Sequence, residues 1–385
     1  MGKTRIAASR LSGANTTELQ QSLGRFGFVY TGLYGTQAQM QATINGLRKV
    51  NPSVKIATYT NIVDTNLEPV SGSIQYQPSL AVAANDWWLY NAAGQHTTWT
   101  TAYNTSLVNI TTWAPRDSAG RRYPQWLADH HAAKLGALTG LDFVYVDNVW
   151  YMPRPRSGAT SHMDWKRNGT NLSNSDPEVL AAFRSGMASY WASLRTRMPN
   201  IKIFGNADND LSYPEYKGKL NGALNECAYG KSWSMFNQGW SVMMARYRTH
   251  LANTAPPHDA ILQGCSEAGL NLPMLRFGLA SALLENGWFV YKVTGETEPY
   301  WADEYDAKLG APAEAPPTAA TASGIWMRKY TNGIVLVNPG TTTASVNIGS
   351  GYKRLLGTKD PVTNNGLPIS TVTLLPNTGL IVVRQ

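Results

Sequence analysis

Eight short runs rich in Val, Ile, Phe and Tyr recur along the first three-quarters of the chain, each parted from the next by a dozen residues or more. They read RIAAS (5–9), GFVYTG (27–32), KIATYT (55–60), FVYVDN (143–148), IKIFGNAD (201–208), GALNECA (222–228), AILQGC (260–265) and WFVYKV (288–293). Strands this continuously apolar are buried on both faces, which happens when helical crossovers cover a parallel sheet. Right-handed crossovers then close eight of them on themselves. The expected architecture is α/β: a (β/α)8 TIM barrel over residues 1–310. A ninth candidate, SLVNITTW (106–113), has no clear helix pattern before it and is placed in a long insertion after the third strand.

Helical patterns fill the intervals. In DPEVLAAFRSGMASYWASLRTRMPN, Asp176 suits an N-cap and Pro177 the first turn. Val179, Leu180, Phe183, Met187, Tyr190, Trp191 and Leu194 fall on one face. TQAQMQATINGLRKV, YPQWLADHHAAKLGAL, SMFNQGWSVMMARYRTHLAN and NLPMLRFGLASALLEN carry similar patterns. The pair His130-His131 is mid-helix and reads as a solvated face.

After residue 310 the character changes. Residues 311–323 are rich in Ala, Pro and Thr, the composition of a linker. Beyond them GIWMRKYT, GIVLVNPG, TASVNIG, YKRLL, STVTLL and GLIVVRQ alternate with Asn, Gly and Pro and leave no room for a helix. A C-terminal antiparallel β-sandwich is expected over 324–385.

Barrels of this kind carry their chemistry at the C-terminal ends of the strands, so polar residues there are the candidates. The strand ends supply Asp64, Asp147, Asn148, Asn206, Asp208, Asn225, Glu226 and Glu267. Cleaving an acetal takes two carboxyl groups, one to protonate the leaving oxygen and one to attack or to activate water. Asp147 and Glu226, from the fourth and sixth strands, can face each other across the mouth and are the expected catalytic pair. Glu267 is the substitute acid, with Asp208 behind it. Asn148, Asn206, Asp208 and Glu267 are expected to contact substrate. Glu304 is read as an ordering residue.

The chain holds 13 Trp and 19 Tyr but only 15% charged residues, a surface suited to stacking on sugar rings. Trp150 and Tyr151, directly behind Asp147, are expected to stack on substrate, as is Trp88 from the insertion.

Other chemistries lack their motifs. The six His show no metal-ligand spacing, and no P-loop, dinucleotide fingerprint or nucleophile elbow occurs, so neither metal nor organic cofactor is expected. Lys292 is the one lysine that would suit an imine-forming lyase or aldolase. The net charge of +8 is scattered in single residues and pairs, with no nucleic-acid-binding signature. It gives solubility and a mild preference for anionic partners; the partner expected from the carboxylates and aromatics is a polysaccharide or oligosaccharide. No apolar run reaches the ~20 residues of a membrane helix, and no signal-like segment opens the chain. Localisation is expected to be extracellular or virion-associated. Cys227 and Cys265 lie within, or at the end of, two apolar runs, which leaves packed thiols and, where the two strands are neighbours, a single bridge both open.

The stretches NDWWLYNAAGQ, NITTWAPRDSAGRRYPQWLADH, LDFVYVDNVW, LRFGLASALLENGWFVY and YWADEYDAKLGAP, followed by GIVLVNPG and LPNTGLIVV, resemble TIM-barrel glycoside hydrolases. Within them the resemblance is to the group called hypothetical glycosyl hydrolase family fifteen. It spans most of the chain from about residue 85 and implies a barrel followed by a β-sandwich. Asp147 matches the family's DN motif and also resembles the nucleophile position of α-galactosidase-like barrels. In those the acid comes from strand six, where Glu226 stands; barrels that take it from strand seven would favour Glu267. The expected function is therefore a glycoside hydrolase. The alternative is a glycan-binding protein on the same scaffold, without catalysis.

Overall fold

The computed structural model describes residues 4–69, 71–72, 74–155, 162–296 and 298–385. Eight parallel strands lie side by side in chain order: β1 (Ala7–Arg10), β2 (Phe28–Thr31), β3 (Lys55–Asn61), β4 (Phe143–Val149), β5 (Lys202–Ala207), β6 (Gly222–Tyr229), β7 (Asp259–Ser266) and β8 (Trp288–Val293). The two edges meet where Ile6 bridges Phe289, whose N–H donates to the Arg5 carbonyl at 3.0 Å. The eight-stranded barrel sheet read from the sequence is thus present.

Two kinds of core explain the continuous hydrophobicity of the strands. Outward residues such as Val144, Val146 and Ile203 join the large core beneath the helices. Inward residues form a separate interior cluster of Phe28, Tyr30, Phe143, Tyr145, Phe204, Leu224, Ile261, Trp288 and Val290. Since side chains alternate along a strand, the next inward position after each interior residue lies one layer closer to the mouth.

The helices are α1 (Thr17–Gly24), α2 (Gln37–Val50), α3 (Tyr76–Ala84), α4 (Tyr123–Leu135), α5 (Pro177–Arg197), α6 (Trp240–Asn253) and α7 (Leu272–Leu283). Asp176 caps α5 by accepting from the Glu178 N–H, and Val179, Phe183, Met187, Tyr190, Trp191 and Leu194 form its buried face. The link from β5 to β6, residues 208–221, contains no helix. In the insertion after β3, Asp64–Asn66 pairs antiparallel with Thr105–Leu107, so SLVNITTW contributes to a small ribbon outside the barrel sheet.

One helical residue departs from expectation. His131 is not on a solvated face: it is 6% exposed, with Nδ1 2.7 Å from the Tyr190 hydroxyl and Nε2 3.1 Å from Thr60 Oγ1. Burial between β3, α4 and α5 drives its pKa well below the usual histidine value.

The C-terminal strands β9 (Trp326–Tyr330), β10 (Gly333–Asn338), β11 (Ala344–Arg354), β12 (Pro368–Leu374) and β13 (Thr378–Arg384) form one antiparallel sheet in the order β9-β10-β13-β11-β12. Six runs become five strands because TASVNIG and YKRLL are continuous through a register shift between Asn347 and Tyr352. Val335, Val337 and Ile381 face the barrel core, whereas Ile334, Leu336, Leu380 and Val382 pack with Val372 and Leu374 on the other side. Glu304 is buried here, accepting from Arg276 Nη1 at 2.8 Å while Arg276 Nη2 reaches Asp360 at 2.8 Å. This ties the segment after β8 to the sheet.

The contact between α7 and β13 leaves no space for a side chain at Gly379. A Cβ there would lie 2.7 Å from Ala280 Cβ and 2.9 Å from the Arg276 carbonyl oxygen. Gly379→Val is expected to destabilise the protein by about 1–3 kcal/mol, the usual cost of overpacking a filled interface. A urea unfolding midpoint equal to wild type would show that the sheet can move away from α7 without loss.

Candidate active site

The strand phase that buries Phe143 and Tyr145 inside the barrel brings Asp147 to the mouth, and the same step leads from Phe204 to Asn206 and from Leu224 to Glu226. Gln263 and Lys292 occupy the equivalent places on β7 and β8. At both carboxylates the regular ladder breaks. Between β4 and β5 the partners step from Val146↔Gly205 to Val149↔Ala207, so three residues oppose two. Between β6 and β7 they step from Asn225↔Leu262 to Tyr229↔Gly264, so four oppose two.

Each irregularity places a positive-φ residue directly after the acid: Asn148 at φ 55 and Cys227 at φ 37. Asn accepts this conformation more readily than most residues. With the chain turned back at Asn148, its backbone N–H donates to Asp147 Oδ1 at 2.9 Å. The break in the ladder at Asp147-Asn148 is therefore a bulge that re-aims a carboxylate.

Asn206 connects the two acids. Its Nδ2 donates to Asp147 Oδ1 at 2.9 Å and to Glu226 Oε2 at 2.8 Å. The two N–H bonds of an amide diverge by about 120°, which sets the accepting oxygens roughly 5 Å apart. Tyr59 donates to Asp147 Oδ2 at 3.1 Å, and the Tyr145 hydroxyl adds a further contact. Burial raises the Asp147 pKa, opposed by Asn206, the Asn148 N–H and the two tyrosines. Glu226 is also raised, first by desolvation and then by the charge of Asp147; Asn206, Lys292 and Lys231 act against the shift. The Glu226 side chain is open to solvent on one side, yet the protein wall around it removes enough water to disfavour the charge. Such a pair can divide acid and base roles.

The other expected site residues are placed differently. Asp208 pairs with Arg154, and burial raises its pKa despite that partner. The Glu267 side chain is 62% exposed and pairs with Lys231 Nζ at 2.7 Å. Asn148 is 9% exposed and contributes its backbone N–H.

Of the three aromatic expectations, those for Trp88 and Trp150 need correction, while Tyr151 is half-buried. Trp88 is 5% exposed in the core of the insertion, edge-on to His96 at 5.4 Å, so it offers no free face. Trp150 is 4% exposed and packs edge-to-face on Trp99 at 5.8 Å. Tyr151 is stacked on Tyr213 at 5.6 Å, whose ring also lies 3.8 Å from the Arg184 guanidinium carbon. An exposed ring that sequence reasoning passed over lies past the end of β6: Trp233 is 61% exposed in the loop that follows Glu226. That loop is a tight turn, with Lys231 N–H to Ser234 Oγ at 2.9 Å and Ser234 N–H to the Lys231 carbonyl at 3.1 Å. Its signal was a Trp between serines just past a strand end. Tyr59, Tyr145 and Gln263 were also missed, although the two-residue phase of their strands points them inward.

Among the described residues no cluster of His, Cys, Asp or Glu could hold a metal ion, and no helix is long and apolar enough to cross a membrane. Cys227 and Cys265 form a disulfide.

The family described as hypothetical glycosyl hydrolase family 15 matches residues 48–334. No match emerges among curated protein sequences. Among solved structures, an α-amylase from Anoxybacillus superposes with a TM-score of 0.55 at 8% identity, covering 99% of this chain and 98% of that one. The type III pullulan hydrolase from Thermococcus kodakarensis gives 0.55 at 12% identity, over 99% and 75% of the two chains. An α-amylase from Geobacillus thermoleovorans, solved in complex with acarbose, gives 0.53 at 9% identity over 99% and 98%. At these identities the likeness is one of fold.

Asp64 underlies this mouth. It is 3% exposed and accepts from Trp99 Nε1 at 2.7 Å, Thr105 Oγ1 at 2.9 Å and Asn61. Burial raises its pKa to about 6. A carboxyl whose folded pKa lies above the unfolded value of about 3.9 stabilises the fold below that value and loses the contribution as pH rises through the folded pKa. Relative to Asp64→Asn, wild type is expected to lose on the order of 2 kcal/mol between pH 4 and pH 7. Urea unfolding of both proteins across that range checks it, and parallel curves would contradict it.

Proposed function

The chain belongs to hypothetical glycosyl hydrolase family 15, and from that premise we propose that it is a retaining glycoside hydrolase acting on a polysaccharide. The observation that carries the reading is the Asn206 amide shared by Asp147 and Glu226. A separation of roughly 5 Å suits a carboxylate that attacks carbon directly; a water between the groups would need ~6.5–9.5 Å. Asp147, held by Asn206, the Asn148 N–H and Tyr59, has the donors that favour its ionised form and is the nucleophile. Glu226, with Asn206 as its one hydrogen-bonding side chain among the described residues and the Asp147 charge beside it, keeps its proton longer and is the acid.

In the first step Asp147 forms a bond to the anomeric carbon as the glycosidic bond breaks, and the Glu226 proton passes to the leaving oxygen. In the second, ionised Glu226 takes a proton from water, whose oxygen displaces Asp147. Covalent attachment removes the negative charge of Asp147, one of the causes that raise Glu226. The acid is therefore easier to ionise at the stage when it must serve as base.

The substrate reading extends from the pair to the rim. Trp233, exposed beside Lys231, supplies an aromatic face for a sugar outside the cleavage point. Lys231 and Lys292, whose charges reach Glu226, support the preference for anionic glycans. The C-terminal sheet, with a core of its own, is read as a β-sandwich that braces the barrel.

The test is product analysis on a broad panel of polysaccharides. Asp147→Asn and Glu226→Gln are each expected to lower kcat by about 10²–10⁴-fold, and NMR of the first product should show the substrate's anomeric configuration. Inversion would reject Asp147 as nucleophile, while binding with no product from any glycan would mark a glycan-binding scaffold. Trp233→Ala is expected to raise KM several-fold with kcat within about twofold, the pattern for a lost binding contact that does not change in the transition state.

A further inference from the structure

We infer that the Cys227–Cys265 cross-link is a positioning device for the Glu226 carboxyl, fixing the irregular end of β6 on β7 so that the acid stands opposite Asp147. The inference rests on the assignment of Glu226 as the acid. Between Asn225 and Tyr229 the β6–β7 ladder is interrupted, so the backbone carrying Glu226 lacks the regular bonds that hold the rest of the strand. The residue after the acid also has φ 37, a conformation that a non-glycine residue keeps only when its surroundings impose it.

Those surroundings come from β7 and the following turn. Cys227 N–H donates to Gln263 Oε1 at 3.2 Å, and its carbonyl accepts from Ser234 Oγ at 2.5 Å. Gln263 is itself fixed from inside the barrel, donating from Nε2 to the Tyr30 hydroxyl at 2.9 Å. At Gly230 a Cβ would fall 1.8 Å from the Cys265 carbonyl oxygen, so the exit of β6 lies directly on β7. The disulfide joins these two backbones at Cys227 and Cys265, with Cα atoms 5.0 Å apart.

Besides Asn206, the charges of Lys292 and Lys231 act on Glu226 without a hydrogen bond that would fix its direction among the described residues. Asn206 is its only hydrogen-bond donor among the side chains described above, so the carboxyl direction follows from the backbone at 226–227. Misplacing a catalytic group by ~1 Å can cost about 10²-fold in rate. A bridge that merely closed a loop would stabilise the fold through the unfolded chain and leave the folded site unchanged.

The experiment compares wild type with two altered forms. One is the Cys227→Ala/Cys265→Ala double variant; the other is wild type reduced with dithiothreitol and alkylated. The dithiol supplies the two electrons and two protons that turn the bridge into two thiols, and closes to its own cyclic disulfide. All three are assayed well below their unfolding temperatures, and amide hydrogen exchange is followed by mass spectrometry. In both altered forms kcat should fall at least about tenfold with KM within about twofold. Exchange over residues 226–230 should quicken at least about tenfold while β4 keeps its protection. Unchanged kcat and unchanged exchange at 226–230 would overturn the proposal even if the unfolding temperature dropped, as would two free thiols in the untreated protein. If wild type turns over no glycan, the assigned reaction fails, and the exchange measurement decides the positioning by itself.

Discussion

Asn206 has two N–H bonds at a fixed angle and uses both on carboxylate oxygens, one from β4 and one from β6. Because β5 lies between those strands, the distance across the candidate site is set by a planar group and by neither acid alone. Moving either oxygen breaks a charge-assisted hydrogen bond in a partly desolvated cleft, where such bonds count for more than in water. The bulges, the tyrosines beneath Asp147 and the cross-link behind Glu226 all serve the same spacing. The interior residues Tyr145, Phe204 and Leu224, one inward step below Asp147, Asn206 and Glu226, give this polar layer a packed floor.

The two carboxylates reach that arrangement by the same local means. A regular parallel strand carries its inward side chains at the pitch of its neighbours, which suits a packed core better than two acids aimed at one point. Extra residues after Val146 and Asn225 release the ladder at the mouth, and a left-handed residue next to each acid turns the chain. The deviations from ideal geometry fall where polar function concentrates, and the apolar layers below stay regular.

The barrel was legible because its signal is repetitive. Eight apolar runs separated by helical patterns left few ways to arrange them, and the barrel expectation directed attention to the C-terminal ends of the strands. Asp147, Asn206 and Glu226 could be picked out as strand-end polar residues on that basis. Two aromatic readings failed for a physical reason: a Trp in an insertion or a loop packs into a local core as readily as it lines a groove, and sequence spacing does not separate the two. Trp88 and Trp150 took the first course, and the exposed Trp233 had only its polar loop to mark it. His131 was hidden similarly, because its partners Thr60 and Tyr190 come from distant elements. Nor could spacing decide between thiols and a bridge at Cys227 and Cys265, which depends on the strands being neighbours.

The closure of the barrel has a bearing on how the chain reaches its native state. The first strand meets the eighth, with Ile6 against Phe289, and the Thr4 hydroxyl donates to the Ala307 carbonyl at 2.9 Å across 303 residues. Outside that seam, α7 leans on β13, whose last strand residue is Arg384. During synthesis the early strands must wait with one edge unpaired until the late ones emerge, since contacts so distant in sequence form slowly. The Asp147–Asn206–Glu226 cluster, on β4 to β6, lies among the six strands that can pair before the last two emerge. The ring around it is completed last, by the segments furthest from it along the chain.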